Sequence, residues 1–199
     1  ECVHCGHCDK NCAMANEKDM SDNIRGYYAL QHKDPLVVAN SSSGGAFTAI
    51  SDVVLKAGGG VCGATLDPNN FKVSHICAST ELDRNQMRGS KYVQSETIGI
   101  FTTIKNQLKE GKTVLFSGTP CQCAELDKFI GDRPGNLVIV DLFCHGAPSN
   151  QLLIDHIKYW EKKTSKKAIA YNYRSKKYGY AHTHEIAFDD GSKNTSIDL

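Results

Sequence analysis

The sequence predicts an α/β domain built on a mixed sheet, with α+β as the alternative, and a small cysteine-bearing appendage at its amino end. Three observations carry that prediction. From about residue 35 onward, helical periodicity alternates with short apolar strands. Glycines punctuate the alternation at Gly58–Gly60 and Gly111. The opening stretch, ECVHCGHCDKNC, holds four of the nine cysteines.

The appendage comes first in the chain. Cys2, Cys5, Cys8 and Cys12 stand at C-x2-C-x2-C-x3-C spacing, the pattern that ligates a 4Fe–4S cluster. Short intervals let one tight loop aim several thiolates at one centre, and Gly6 sits where the backbone must curl. Zinc is the competing reading, but zinc sites favour two separated cysteine pairs or cysteine mixed with histidine. His4 and His7 read as solvated loop residues, because the cysteines already fill the ligand pattern. Ala13 stands where ferredoxin runs usually carry proline. In two-cluster ferredoxins the fourth cysteine of such a run serves the other cluster. No second run is found in the 199 residues, and the chain begins with Glu1. The expectation is therefore a fragment lacking an amino-terminal part that carried the partner run. Residues 1–20 are assigned to this ferredoxin-type segment and 35–199 to the α/β domain. A chain this long and this rich in helix and strand needs no disulfide framework, and cluster cysteines need a reducing or anaerobic compartment, which predicts a cytoplasmic location.

Within the domain, SSSGGAFTAISDVVLKAGGG reads as a helix capped by Ser42 or Ser43, with Phe47, Ile50 and Val54 on one face and Gly58–Gly60 past its end. VCGATLD and KVSHICAS are short strands about a DPNN turn. IGIFTTIKNQLKEGK is an amphipathic helix ending at Gly111, and TVLFSG a buried strand. That strand runs into Thr119, a good cap, and Pro120, suited to a first helical position. Cys121 and Cys123 fall in the first turn of the helix that follows. Its unpaired N–H groups and partial positive charge can bind phosphate or favour a thiolate. The alternative is a plain strand–turn–helix with buried cysteines. Val138–Phe143 forms the next strand, and Cys144, His145 and Gly146 stand at its carboxyl end, where parallel sheets gather ligands. HTHEIAFDDGSKNTSIDL alternates about Asp189–Gly191 as a hairpin.

Composition narrows the function classes. A net charge of +1 gives no electrostatic case for nucleic acid or an anionic membrane. No apolar run reaches the ~18–20 residues a membrane helix needs.

Four segments, SSSGGAFTAI, RGSKYVQS, VLFSGTPCQ and VDLFCHGAPS, in this order and spacing, resemble the coenzyme F-420 hydrogenase/dehydrogenase beta-subunit family. The likeness spans roughly residues 1–190, and the ferredoxin-type head is similar to the subgroup found among surface-polysaccharide enzymes. The resemblance implies a flavoprotein with 4Fe–4S clusters and FAD. It places Ser43, Gly44 and Gly45 in the flavin pocket. Arg88, Ser90, Lys91 and Tyr92 would form a polar loop near the flavin, Lys91 neutralising its charge and Tyr92 stacking on a ring; an exposed basic loop is the plainer reading. Thr119, Pro120, Gln122 and Gly146 match further cofactor-binding turns. Cys121 and Cys144 match the family's strand ends and are candidate ligands of a further cluster, completed by a downstream cysteine pair that relatives carry beyond the hairpin where this chain stops. Cys62, Cys77 and Cys123 match no signature and read as small buried residues.

The function these features predict is an iron–sulfur flavoprotein oxidoreductase. It would relay electrons between clusters, FAD and an unknown two-electron acceptor or donor, of deazaflavin type or another. His145 is the candidate proton donor and Cys121 the candidate redox thiol. Its partner would be a ferredoxin or another redox protein. The alternative is a non-catalytic iron–sulfur electron carrier or docking subunit of a larger complex.

Overall fold

The computed structural model describes Gly6 and residues 24–197. The cluster candidates Cys2, Cys5, Cys8 and Cys12 lie outside the described residues. Gly6 has φ +68°, a left-handed conformation open to glycine.

The described elements run in the order α1 (Pro35–Ala39), α2 (Ala46–Lys56), β1 (Gly60–Leu66), β2 (Val73–Ala78), α3 (Glu81–Asn85), α4 (Ile100–Lys109), β3 (Val114–Gly118), α5 (Pro120–Ile130), β4 (Leu137–Asp141), α6 (Asn150–Thr164), β5 (Ala168–Asn172), β6 (Thr183–Phe188) and β7 (Lys193–Ile197). Two sheets result. A four-stranded sheet has the order β2-β1-β3-β4, with β1, β3 and β4 parallel and β2 antiparallel to β1. It is the mixed sheet the sequence predicts. A three-stranded antiparallel sheet, β5-β6-β7, follows.

Helices cover both faces of the first sheet, so its central strand β3 is buried along its whole length. On one face Val54 of α2 packs with Val61, Ala78, Met87 and Leu115. On the other, Ile104 of α4 and Leu126 of α5 pack with Val114, Phe116 and Leu137. A third cluster joins the sheets: Leu153 and Ile157 of α6 meet Val73 of β2 and Ile186 and Phe188 of β6.

Several local expectations are corrected. Gly45, at φ +84° and with no side-chain cap, is the N-cap of α2, in place of Ser42 or Ser43. Ser42 Oγ accepts from the Ser90 N–H instead (2.8 Å). Gly60 opens β1 and is not part of the helix stop. Strand β4 ends at Asp141, opposite Gly118, leaving Leu142 and Phe143 exposed. Helix α6 and strand β5 were not read from the sequence.

The largest correction concerns Cys62 and Cys77. They face each other across the β1–β2 ladder and are joined as a disulfide. Cys62 is wholly buried. A turn confined to DPNN would pair Cys62 with His75. The connection instead takes in Phe71, at φ +55°, with Asp67 N–H donating to Lys72 O and Phe71 N–H to Asp67 O. That longer turn moves the register until Cys77 stands opposite Cys62.

Candidate functional site

Strands β1, β3 and β4 point their carboxyl ends the same way, and a cavity of about 630 Å³ opens there. Gly63 and Ala64 of β1, Ser117 and Gly118 of β3, and residues 142–147 beyond β4 contribute to its walls. The stretch 41–48, running into α2, and the loop 87–95 after α3 complete it.

Most of the candidate residues are brought together here. Ser43, Gly44, Gly45, Arg88, Ser90, Lys91, Tyr92, Thr119, Gln122, Cys144, His145 and Gly146 all line this cavity. Pro120 and Cys121 do not. Pro120 is the first residue of α5. Cys121 is half-buried, its Sγ 3.2 Å from Thr119 Oγ1. Cys144 is exposed, and Gly146 N–H donates to its Sγ (3.4 Å). Among the described residues, no group of three or more His, Cys, Asp or Glu side chains is placed to hold a metal ion. Cys123 is buried, and burial pushes its thiol up to about 12, so it stays protonated.

The two helix starts at the cavity differ. At α5 the Gln122 side chain folds back on the N-cap: Thr119 N–H and Oγ1–H both meet Gln122 Oε1 (3.1 Å each), and the first-turn residues Pro120 and Cys121 do not line the cavity. At α2 there is no side-chain cap, and the first-turn residues Ala46, Phe47 and Thr48 line the cavity. First-turn N–H groups have no intrahelical acceptor, so this end offers donors and partial positive charge to an anion. The phosphate-binding role read for α5 therefore suits α2 better.

Lys91 lines the cavity, but its ammonium donates to three carbonyls, those of Gln86 (3.3 Å), Met87 (2.8 Å) and Arg88 (2.9 Å). Its three donors are spent on the end of α3, and burial pushes it down to about 7. It is a poor choice for the charge-neutralising role expected of it. The Tyr92 ring meets Tyr173 edge-on at 5.9 Å, and its hydroxyl accepts from Arg174 (3.2 Å). Arg88 carries no such commitment, and its Nε is buried without a hydrogen-bond partner.

The floor of the cavity is a polar network in which the sequence reading named Gln122 but missed His75 and Ser95. His75 Nε2 lies 3.0 Å from Ser117 O, an acceptor only, so Nε2 carries the proton and Nδ1 accepts from Ser95 Oγ (3.0 Å). Gln122 Nε2 donates to Ser95 Oγ (2.9 Å). His75 stacks on Phe116 with ring centroids 5.2 Å apart. Burial lowers its pKa, which keeps the imidazole neutral. One signal was present: His75 alternates with Val73 and Cys77, placing a polar residue on an otherwise apolar strand face.

No protein-family model matches the chain, and no curated protein matches it in sequence. Among solved structures, the chain is similar to a chain of the F420-reducing NiFe hydrogenase complex from Methanosarcina barkeri, determined in a xenon-derivatisation study. The TM-score is 0.59 at 20% identity, covering 86% of this chain and 61% of that one. The present chain thus spans less than two thirds of its neighbour's length. At this identity the likeness is one of fold.

Proposed function

We propose that the chain is an oxidoreductase subunit whose strand-end cavity holds FAD and whose head, residues 1–20, carries a 4Fe–4S cluster. The observation that bears most of the weight is the make-up of the cavity. Its wall carries Arg88 and no aspartate or glutamate, with Lys91 spent on carbonyls and His75 neutral. An uncapped helix start faces it. A phosphorylated ligand needs such surroundings, and the volume falls within the ~300–1,000 Å³ typical of ligand pockets.

Arg88 and the first-turn N–H groups of α2 would hold the pyrophosphate. Gly44 and Gly45 let the chain pack closely on Leu30 and His32, which sets the start of α2 at the cavity. The neutral His75, tied to Ser117 and Ser95, would orient the ring system, while His145 at the exposed rim remains the candidate proton donor. FAD would supply two-electron transfer, and the cluster bound by Cys2, Cys5, Cys8 and Cys12 single-electron transfer. Cys121 and Cys144 would join a further cluster only with ligands from outside the described residues. The structural neighbour belongs to a multi-subunit hydrogenase complex, which supports a redox protein partner and a role as one subunit among several. A cluster-bearing head favours a reducing, cytoplasmic setting, which the Cys62–Cys77 bridge runs against. Among the described residues, no helix is long and apolar enough to cross a membrane.

The test is anaerobic purification of the full chain with assay of iron, acid-labile sulfide and flavin. Iron and sulfide together with bound FAD are expected. Iron and sulfide without flavin affinity would leave the electron-carrier alternative. Zinc without sulfide would remove the cluster from the account.

A further inference from the structure

The Cys62–Cys77 bridge has no part in the flavin reading, yet it adjoins the cavity floor. Its two cysteines lie in a row that crosses the first sheet. Cys77 of β2 stands opposite Cys62 of β1, and Cys62 opposite Phe116 of β3. Phe116 shares a buried cluster with Cys62, and Cys77 packs against that cluster. The Phe116 ring in turn stacks on His75, with centroids 5.2 Å apart. A continuous run of contacts therefore leads from the bridge to His75, which is tied to Ser95 and Ser117 at the floor. The path along the strands is equally short. Gly63, next to Cys62, lines the cavity, as do Ala64 and His75, which face each other across the same ladder.

The two sulfur-bearing residues differ in access. Cys62 is wholly buried. Cys77 is half-buried and belongs to β2, the edge strand of the sheet. A thiolate arriving from solvent meets Cys77 first.

We infer that Cys62–Cys77 is a reversible thiol–disulfide exchange site, opened by a low-molecular-weight thiol at Cys77 and coupled to the cavity floor through Phe116 and His75. The thiolate attacks Cys77 Sγ, the bond to Cys62 breaks, and Cys62 leaves and takes a proton. A second thiol then displaces Cys77 from the mixed disulfide. The chain gains two electrons and two protons, and two reductant thiols become one disulfide. A bridge that opens in this way is compatible with a reducing setting. The exchange stands apart from the flavin reading; its effect on flavin binding rests on that reading.

The test uses the full chain, kept anaerobic, with glutathione as the thiol. Alkylation and peptide mass spectrometry follow each cysteine. Opening should be first order in glutathione, with the mixed disulfide on Cys77. A rate that does not rise with glutathione, as when the chain must first unfold, or a mixed disulfide on Cys62, overturns the inference. In Cys62→Ser the remaining Cys77 thiol should react with oxidised glutathione at least about tenfold faster than the Cys62 thiol left in Cys77→Ser. Equal rates would also overturn it. The coupling is read from the imidazole nitrogen resonances of His75, assigned with His75→Gln. They should move on reduction, and Cys62→Ser should reproduce the reduced position. Unmoved resonances overturn the coupling. Opening the bridge should also weaken FAD binding by about fivefold or more, and FAD should make the bridge harder to open by the same factor. FAD binding that ignores the bridge overturns the coupling. Absence of FAD binding in the oxidised chain ends the flavin reading alone, because the exchange and His75 measurements need no flavin.

Discussion

Arg84 is among the largest wholly buried side chains, and it is charged. Its guanidinium meets Asp52 of α2 at 2.6 Å, donates to Thr48 O (3.1 Å) and reaches Ser51 Oγ. It thereby fastens α3 to the helix whose start faces the cavity. Arg84→Ala strands those acceptors and the Asp52 charge, and should cost about 3 kcal/mol in chemical denaturation. Arg84→Met, which refills the volume, should lose less. Lys91 gives a pH signature. Burial takes it down to about 7 in the folded chain, against about 10.4 unfolded. Between those values the unfolded chain binds the extra proton, so stability rises with pH across that window. Lys91→Met should flatten the rise, as read from denaturation midpoints at several pH values. None of this was legible in the sequence. Arg84 carried no sequence signal, and Lys91 read as a charge facing the flavin, because neither periodicity nor motif spacing reports which charges tertiary packing encloses.

The elements were more legible than their ends. Gly111, Thr119 and Pro120 mark real boundaries, since glycine and proline restrict the backbone whatever surrounds them. The start of α2 was misplaced among three serines and two glycines that all satisfy local rules. Only tertiary contacts select Gly45, where an added Cβ would stand 3.1 Å from His32 Cβ and 3.2 Å from Val37 Cγ1 at φ +84°. Gly45→Ala should cost about 1–2 kcal/mol for left-handed strain and weaken flavin binding by displacing the first-turn N–H groups. A melt and a flavin titration of the same variant check both. The Cys62–Cys77 pair shows the same limit for strands. Alternation marks a strand but not its register, and the turn through Phe71 sets which residues meet. The bridge spans a sequence separation of 15, so its reduction should lower stability by at most about 3 kcal/mol by loop-closure entropy. Melts with and without a phosphine reductant measure it.

At the scale of the whole molecule, the parallel strands explain why segments far apart in sequence converge. Their carboxyl ends share one edge, so the turns after β3 and β4 meet there, and the helix-flanking stretches 41–48 and 87–95 pack against them without any local signal linking them. Turns at strand ends made that convergence legible for Thr119 and His145, while Ser43 and Arg88 were placed there only by the family resemblance. The His75–Ser95–Gln122 floor stayed hidden because its members are joined only by packing. The central claim is that the first cavity recognises a flavin through its phosphates. The most direct measurement is a fluorescence-quenching titration of the full chain with FAD and with riboflavin, alongside Arg88→Gln. The account predicts saturable one-to-one FAD binding, at least about tenfold weaker riboflavin binding, and a loss of that preference in Arg88→Gln. Equal affinity for both flavins, or no saturable binding of either, would contradict it.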